Sequence, residues 1–220
     1  MDVLPHGRGI VALGDSITRG HGGTGALGVH FQSWVLWLAE AMELPLTNLA
    51  ADGATAADVL GTQVPRLRGP YDLATLLVGA NDARRIDWDA ARYERDVAAI
   101  AAALREAAAR VVVLTLPEDL GRPASAPKPS EANAILRALD GVTVVELADL
   151  SDRLHLLPDR VHPTSAGMAE IARRAAAAVG APQPDVEVPA PDLRYRAWWA
   201  RLWVRDVVRR ARERREYAGS

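Results

Sequence analysis

No cysteine occurs among the 220 residues, which removes disulfides, thiolate metal ligands and thiol catalysis together. No run of about 18 apolar residues occurs either, so no segment reads as a membrane-spanning helix. Residues 1–9 hold no apolar stretch of signal-peptide length and include Asp2 early, so no export signal is expected and the default compartment is the cytoplasm. Lysine is nearly missing: Lys128 stands alone among 26 basic residues. With alanine so abundant, this looks like the codon bias of a GC-rich genome and carries no chemistry. An excess of one charge is lacking too. The formal net charge of -2 argues against nucleic acid as the partner of the whole body. His6, His21, His30 and His155 show no metal-ligand spacing with carboxylates, so no metal is expected. No Gly-Lys-Ser/Thr supports a phosphate-binding loop.

What is present reads as one globular domain with an appendage. The chain is 49% hydrophobic and 25% charged, enough apolar residue to bury a core. Ile10-Val11-Ala12-Leu13 is a short apolar run closed by Gly14, the pattern of a buried strand that stops abruptly. Further strands are expected over 46–50, 73–78, 111–116 and 142–147. Helices are expected over 32–44, 55–64, 89–109, 130–139 and from Thr164 or Ser165 to 178. Residues 18–29 form a glycine-rich loop, and 118–129, with three prolines, an irregular loop that suits a lid or rim. Strands that are nearly all apolar and alternate with helices imply a parallel sheet covered on both faces. Right-handed crossovers then bring every strand's carboxyl end to one edge.

That edge collects the residues with chemistry. Ser16 lies two residues past the first strand, where open α/β sheets place their ligands. A serine hydroxyl is a weak nucleophile that needs a base, and the base needs an orienting group. Asp159-Arg160-Val161-His162-Pro163 supplies both: three residues apart in a loop, the Asp159 carboxylate reaches one imidazole nitrogen and the other faces a hydroxyl on a neighbouring loop. A tetrahedral intermediate also needs donors where its oxyanion forms. The candidates are the backbone N–H groups of Ser16 and Gly53 and the side-chain amide of Asn81. Singly, His162 reads as a solvated loop histidine, and Gly53 and Asn81 as turn residues. The set outweighs its members.

Gly14-Asp15-Ser16-Ile17-Thr18, then Asn48 with Gly53, then Gly79-Ala80-Asn81-Asp82, then Asp159-Arg160-Val161-His162-Pro163 resemble the four sequence blocks of the SGNH/GDSL hydrolase family, in the family's order over residues 9–178. The resemblance implies a three-layer α/β/α flavodoxin-like sandwich with a five-stranded parallel sheet. It implies cofactor-free hydrolysis of a small-molecule ester, with Ser16 as nucleophile, His162 as base, Asp159 as orienting acid, and Ser16, Gly53 and Asn81 as the oxyanion hole. Two other function classes stay open: acyl transfer by the same triad, and a non-catalytic binding protein that works through its tail.

Gly20-His21-Gly22-Gly23-Thr24-Gly25 matches the G-x-G-x-x-G fingerprint of dinucleotide sites. A true fingerprint begins at a strand end and opens straight into a helix; here the strand ends near Leu13 and the helix begins near Gln32. A mobile loop beside Ser16 is the better reading. Arg84 and Arg85 read as a solvated helix entry, with an anionic substrate group as the alternative.

The expected division is a catalytic domain over 1–180, a proline-rich linker over 181–191 and a basic, tryptophan-rich C-terminal helix over 192–220. From Asp192 onward nine arginines stand against four acidic residues. Three partners suit such a helix: the body or a second copy, a peripheral membrane surface, and an acidic macromolecule.

Overall fold

A computed structural model of the chain describes residues 7–20, 29, 32–121 and 128–218, with side chains described up to 209 and at 211. The expectations on the glycines at 22, 23 and 25, and on the middle of the 118–129 loop, fall outside these residues. The elements are β1 (Ile10–Gly14), α1 (Ser16–Arg19), α2 (Trp34–Ala41), β2 (Leu46–Asn48), α3 (Ala56–Asp58), β3 (Leu73–Leu77), α4 (Ala80–Ala83), α5 (Ala90–Ala107), β4 (Val111–Leu114), α6 (Lys128–Arg137), β5 (Thr143–Val145), α7 (Ser165–Ala178) and α8 (Leu193–Ala218).

The five strands form one parallel sheet in the order β2-β1-β3-β4-β5. Every residue of β1, β3 and β4 is buried, whereas Asn48 of β2 and Thr143 of β5 are exposed. This is the signature of a sheet covered on both faces, with polar residues tolerated on its edge strands. α2 and α7 pack together in one helical layer, and α3, α5 and α6 pack in the other. α5 shows how the sequence selects a face: Tyr93, Val97, Ile100, Ala101 and Leu104 are buried, and Asp89 caps the helix by accepting from the Arg92 N–H. The flavodoxin-like α/β/α sandwich with a C-terminal helical extension is therefore the observed fold.

The strand order places the topological switch between β1 and β3, since the chain runs outward from β1 in both directions. Ligand crevices in open α/β sheets form at that point, outside the carboxyl ends of the strands. Gly14 and Leu77, the last residues of β1 and β3, are register partners. They approach so closely that a Cβ on Gly14, whose φ is +150°, would lie 2.3 Å from the Leu77 carbonyl oxygen. Glycine is required there, and the chain emerges from β1 beside the chain emerging from β3.

Several boundaries differ from expectation for identifiable reasons. Thr18 and Arg19, expected at the start of the glycine-rich loop, belong with Ser16 and Ile17 to the turn of α1, because Asp15 caps it through the Ile17 N–H and Gly20 ends it at φ 100°. The helix expected over 55–64 begins with a capping box between Thr55 and Asp58. It then widens into a π-helical turn over Val59–Gln63 and tightens over Val64–Arg66. α2 stops at Ala41, before Glu43 takes a left-handed conformation at φ 53°. α6 begins at Lys128 and accommodates Pro129 in its first turn, where the missing N–H has no intrahelical partner to lose.

Candidate active site

The site is assembled by four loops at the carboxyl edge of the sheet. The first carries Ser16, in α1 directly after β1, with 7 % of its surface exposed. Its backbone is held from below. Gln63, itself buried, accepts from the Gly14 N–H at 2.9 Å and donates to the Gly14 carbonyl at 2.8 Å. The π turn ends at Gln63, and this amide completes the hydrogen bonding of the last β1 residue. Asn48 and Ser33 both donate to the Thr18 carbonyl, at 2.9 and 2.7 Å. Ser16 thus sits on a backbone fixed on both sides.

His162 reaches it from the other end of the chain, with Ser16 Oγ 3.0 Å from His162 Nε2. His162 Nδ1 lies 2.7 Å from Asp159 Oδ2. An ionised carboxylate only accepts, so Nδ1 carries the ring proton and the Nε2 lone pair faces the serine hydroxyl, which donates. The other oxygen of Asp159 accepts from the backbone N–H groups of Val161 and His162, both at 3.0 Å. Burial pushes the Asp159 carboxyl up, but the His162 hydrogen bond and charge, with those two N–H donors, hold it at about 2. The carboxylate stays ionised and fixes both the tautomer and the ring plane.

The loop bearing His162 rests on the segment just before it. Leu156 bridges Pro163 in antiparallel pairing. The Leu157 N–H donates to the His162 carbonyl and the Thr164 N–H to the His155 carbonyl, each at 2.9 Å. Thr164, which caps α7 by accepting from the Gly167 N–H, also donates its hydroxyl proton to the Leu154 carbonyl. Residues 154–157 are therefore a platform for 162–164.

Asn81 and Gly53 come from the two remaining loops. Asn81 Nδ2 donates to the Ala54 carbonyl at 3.0 Å, which leaves its second amide proton for a ligand. Both Asp82 carboxylate oxygens accept from the Ala56 N–H, at 3.1 and 3.2 Å. Asn81 and Asp82 thereby staple the loop after β2 to the loop after β3. Gly53 is exposed, at φ 73°, with nothing within 4 Å of where a Cβ would be. Burial raises the Asp82 carboxyl to about 6 and that of Asp15, completely enclosed, to about 7. In Asp15 the Ile17 N–H and the His162 charge pull the other way and lose.

Gln63, Asp15 and Asp82 position the site; Asp15 and Asp82 stand in the motif blocks without an assigned role, and Gln63 stands in none. Asp15 had a signal, a capping residue before a helical turn. Gln63 had none, because its partner lies 49 residues away. Arg85 forms a two-pronged bond to Asp87 at 2.9 and 3.0 Å, both exposed. A concavity of about 830 Å³ lies between α8 and residues 151–160, and its lining includes Pro158 and Arg160 but not Ser16, Asp159 or His162. The hydrogen-bonded set of Ser16, His162 and Asp159 lies outside that groove.

Solved structures share the fold. An α/β hydrolase enzyme, LAE5, from the metagenome of Lake Arreo, Spain, superposes with a TM-score of 0.65 at 22% identity, covering 80% of this chain and 97% of that one. Axe2, an acetylxylan esterase from Geobacillus stearothermophilus, gives 0.61 at 17% identity over 80% and 95%. TesA gives 0.61 at 22% over 78% and 97%. No curated protein matches the chain. The sequence profile of the GDSL-like lipase/acylhydrolase family matches residues 12–170, most of the chain and all four loops of the site. The protein is therefore a member of the GDSL-like lipase/acylhydrolase family, a hydrolase of ester bonds.

Proposed function

We propose that the protein is a serine esterase in which Ser16, His162 and Asp159 form the catalytic triad. The observation that carries this reading is the unbroken relay from Ser16 Oγ to His162 Nε2 at 3.0 Å and from His162 Nδ1 to Asp159 Oδ2 at 2.7 Å. His162 takes the Ser16 proton as Oγ attacks the ester carbonyl carbon, and the carbonyl π pair moves onto oxygen. The Ser16 and Gly53 backbone N–H groups and the free Asn81 amide proton stabilise that oxyanion. His162 then protonates the leaving alkoxide, and the acyl group remains on Ser16. Water repeats the sequence, with His162 as base, to release the acid. Asp159 keeps the imidazolium oriented and charge-balanced throughout.

The first substrates to try are short acyl esters, because one structural neighbour, Axe2, is an acetylxylan esterase. The experiment is a panel of chromogenic esters of increasing acyl length, run on the full chain and on Ser16→Ala. Turnover that Ser16→Ala abolishes supports the triad. A Ser16→Ala protein that keeps most of its activity refutes it. New ester formed when an alcohol acceptor is added would move the assignment from hydrolysis to acyl transfer.

A further inference from the structure

We propose that the outward face of α8 is a docking surface for an anionic lipid bilayer. α8 spends one face on the body. Tyr195 is buried there and its hydroxyl donates to the Arg153 carbonyl at 2.6 Å, while the Trp199 indole N–H donates to the Leu156 carbonyl at 3.1 Å. Asp206 is buried on the same side and accepts from Arg209 at 2.6 Å.

The opposite face is apolar and open. Leu193, Val204 and Val208 are between 45% and 81% exposed. Exposed Ala197 joins them at four- and seven-residue spacing into one stripe along the helix, whereas Val207 and Ala211 line the groove against residues 151–160 and Ala200 a second hollow against Arg153 and Leu154. Its borders are basic: Arg194, Arg201 and Arg205 follow one side, Arg196 the other, and all are exposed. Among the described side chains of α8 and its cap, the acids are Asp192, which accepts from the Tyr195 N–H, and the buried Asp206. Neither lies on the stripe.

The charge pattern decides the occupant. A second copy seated antiparallel on the stripe would set Arg194, Arg201 and Arg205 against their own counterparts, and a parallel one would set them on the Arg196 side, with no acid among the described side chains of the stripe to pair them. Nucleic acid would satisfy the arginines but leave the leucine and valines in water. A bilayer with anionic headgroups meets both: the stripe enters the acyl boundary while the arginines stay among the phosphates. No helix among the described residues is long and apolar enough to cross a membrane, so α8 lies on the surface.

The test is sedimentation of the full chain with vesicles of phosphatidylcholine alone and of phosphatidylcholine mixed with phosphatidylglycerol. The expected result is salt-sensitive binding to the mixed vesicles and little to the neutral ones. Arg201→Gln with Arg205→Gln weakens binding about fivefold per charge removed. Val204→Asp with Val208→Asp weakens it by at least about tenfold, with circular dichroism and elution volume unchanged because both side chains face solvent. Any of these results overturns the proposal: no binding to mixed vesicles, binding that the valine pair leaves intact, or a dimer in the ultracentrifuge that the valine pair dissolves. Duplex oligonucleotide binding without vesicle binding overturns it as well.

Discussion

The indole N–H of Trp199 donates to the backbone carbonyl of Leu156 at 3.1 Å, and this bond ties the C-terminal helix to the platform beneath His162. Leu156 is one partner of the bridge to Pro163, the residue after His162. Trp199 is also covered by the Arg153 guanidinium, 4.9 Å from the ring centroid. Trp199→Phe keeps most of the ring and removes the donor. The expected cost is about 1 kcal/mol, the usual price of one net hydrogen bond, read as a lower Tm. If the platform positions His162, kcat toward a short acyl ester falls severalfold while KM stays near its starting value. A lower Tm with kcat unchanged would make Trp199 an anchor for α8 alone.

Removing the acid of the relay tests orientation separately from nucleophilicity. Asp159→Asn keeps the size of the side chain but loses the charge that fixes the Nδ1–H tautomer of His162. Its amide is expected to favour the wrong tautomer, with kcat falling on the order of 10⁴-fold. The same variant keeps one oxygen for the Val161 and His162 N–H groups but loses the stabilisation of the ionised carboxylate, so its stability in urea unfolding at neutral pH should fall by on the order of 1–2 kcal/mol. A loss of less than about tenfold would show that the carboxylate is not needed for turnover.

Gln63 should be worth more to stability than its single side chain suggests. Gln63→Leu leaves the N–H and C=O of Gly14 without the two bonds at 2.9 and 2.8 Å, in a site where Gln63 is 1% exposed. The Gly14 carbonyl still accepts from the Ala51 N–H at 3.2 Å, so the Gly14 N–H is the group left unpaired, and urea unfolding should show a loss of about 1–3 kcal/mol. Gln63→Glu keeps the acceptor and loses the donor, so it should fall between the two. Wild-type stability in Gln63→Leu would mean that water replaces the amide.

The sheet was legible in the sequence because strands buried on both faces must be apolar throughout, and β1, β3 and β4 are. Their ends were harder to place. β4 was expected to reach Leu116, but its ladder stops at Leu114 because both backbone groups of Leu116 bond to the Asn133 amide, at 2.7 and 2.9 Å. β2 was expected to reach Ala50, but the Asn48 carbonyl side-chain oxygen takes the Ala50 N–H instead. Ser16, Asp159 and His162 could be picked out because local motifs carry them at strand and helix boundaries. The supports could not. Gln63 to Gly14, Trp199 to Leu156 and Tyr195 to Arg153 join residues more than 40 positions apart, and no local period marks such a pair.

Asp15 provides a pH test that the relay does not. Burial raises its carboxyl from 3.8 to about 7, against the smaller pull of the Ile17 N–H and of His162. The folded protein therefore holds a proton that the unfolded chain releases near its ordinary value. This group's contribution is fully present below about 4 and is lost as pH rises through about 7. Asp159 has the opposite sign. Its folded value of about 2 lies below 3.8, so its contribution is present above that ordinary value and lost as pH falls towards 2. Asp15→Asn removes the ionisation and keeps an oxygen to accept from the Ile17 N–H. Its stability relative to the parent should therefore rise between pH 4 and pH 7, by on the order of 1–3 kcal/mol, and level off above. Urea unfolding of both proteins across that range measures the difference directly. A difference independent of pH would mean that Asp15 is solvated well enough to ionise normally, and that the enclosed cap beneath Ser16 is open to water.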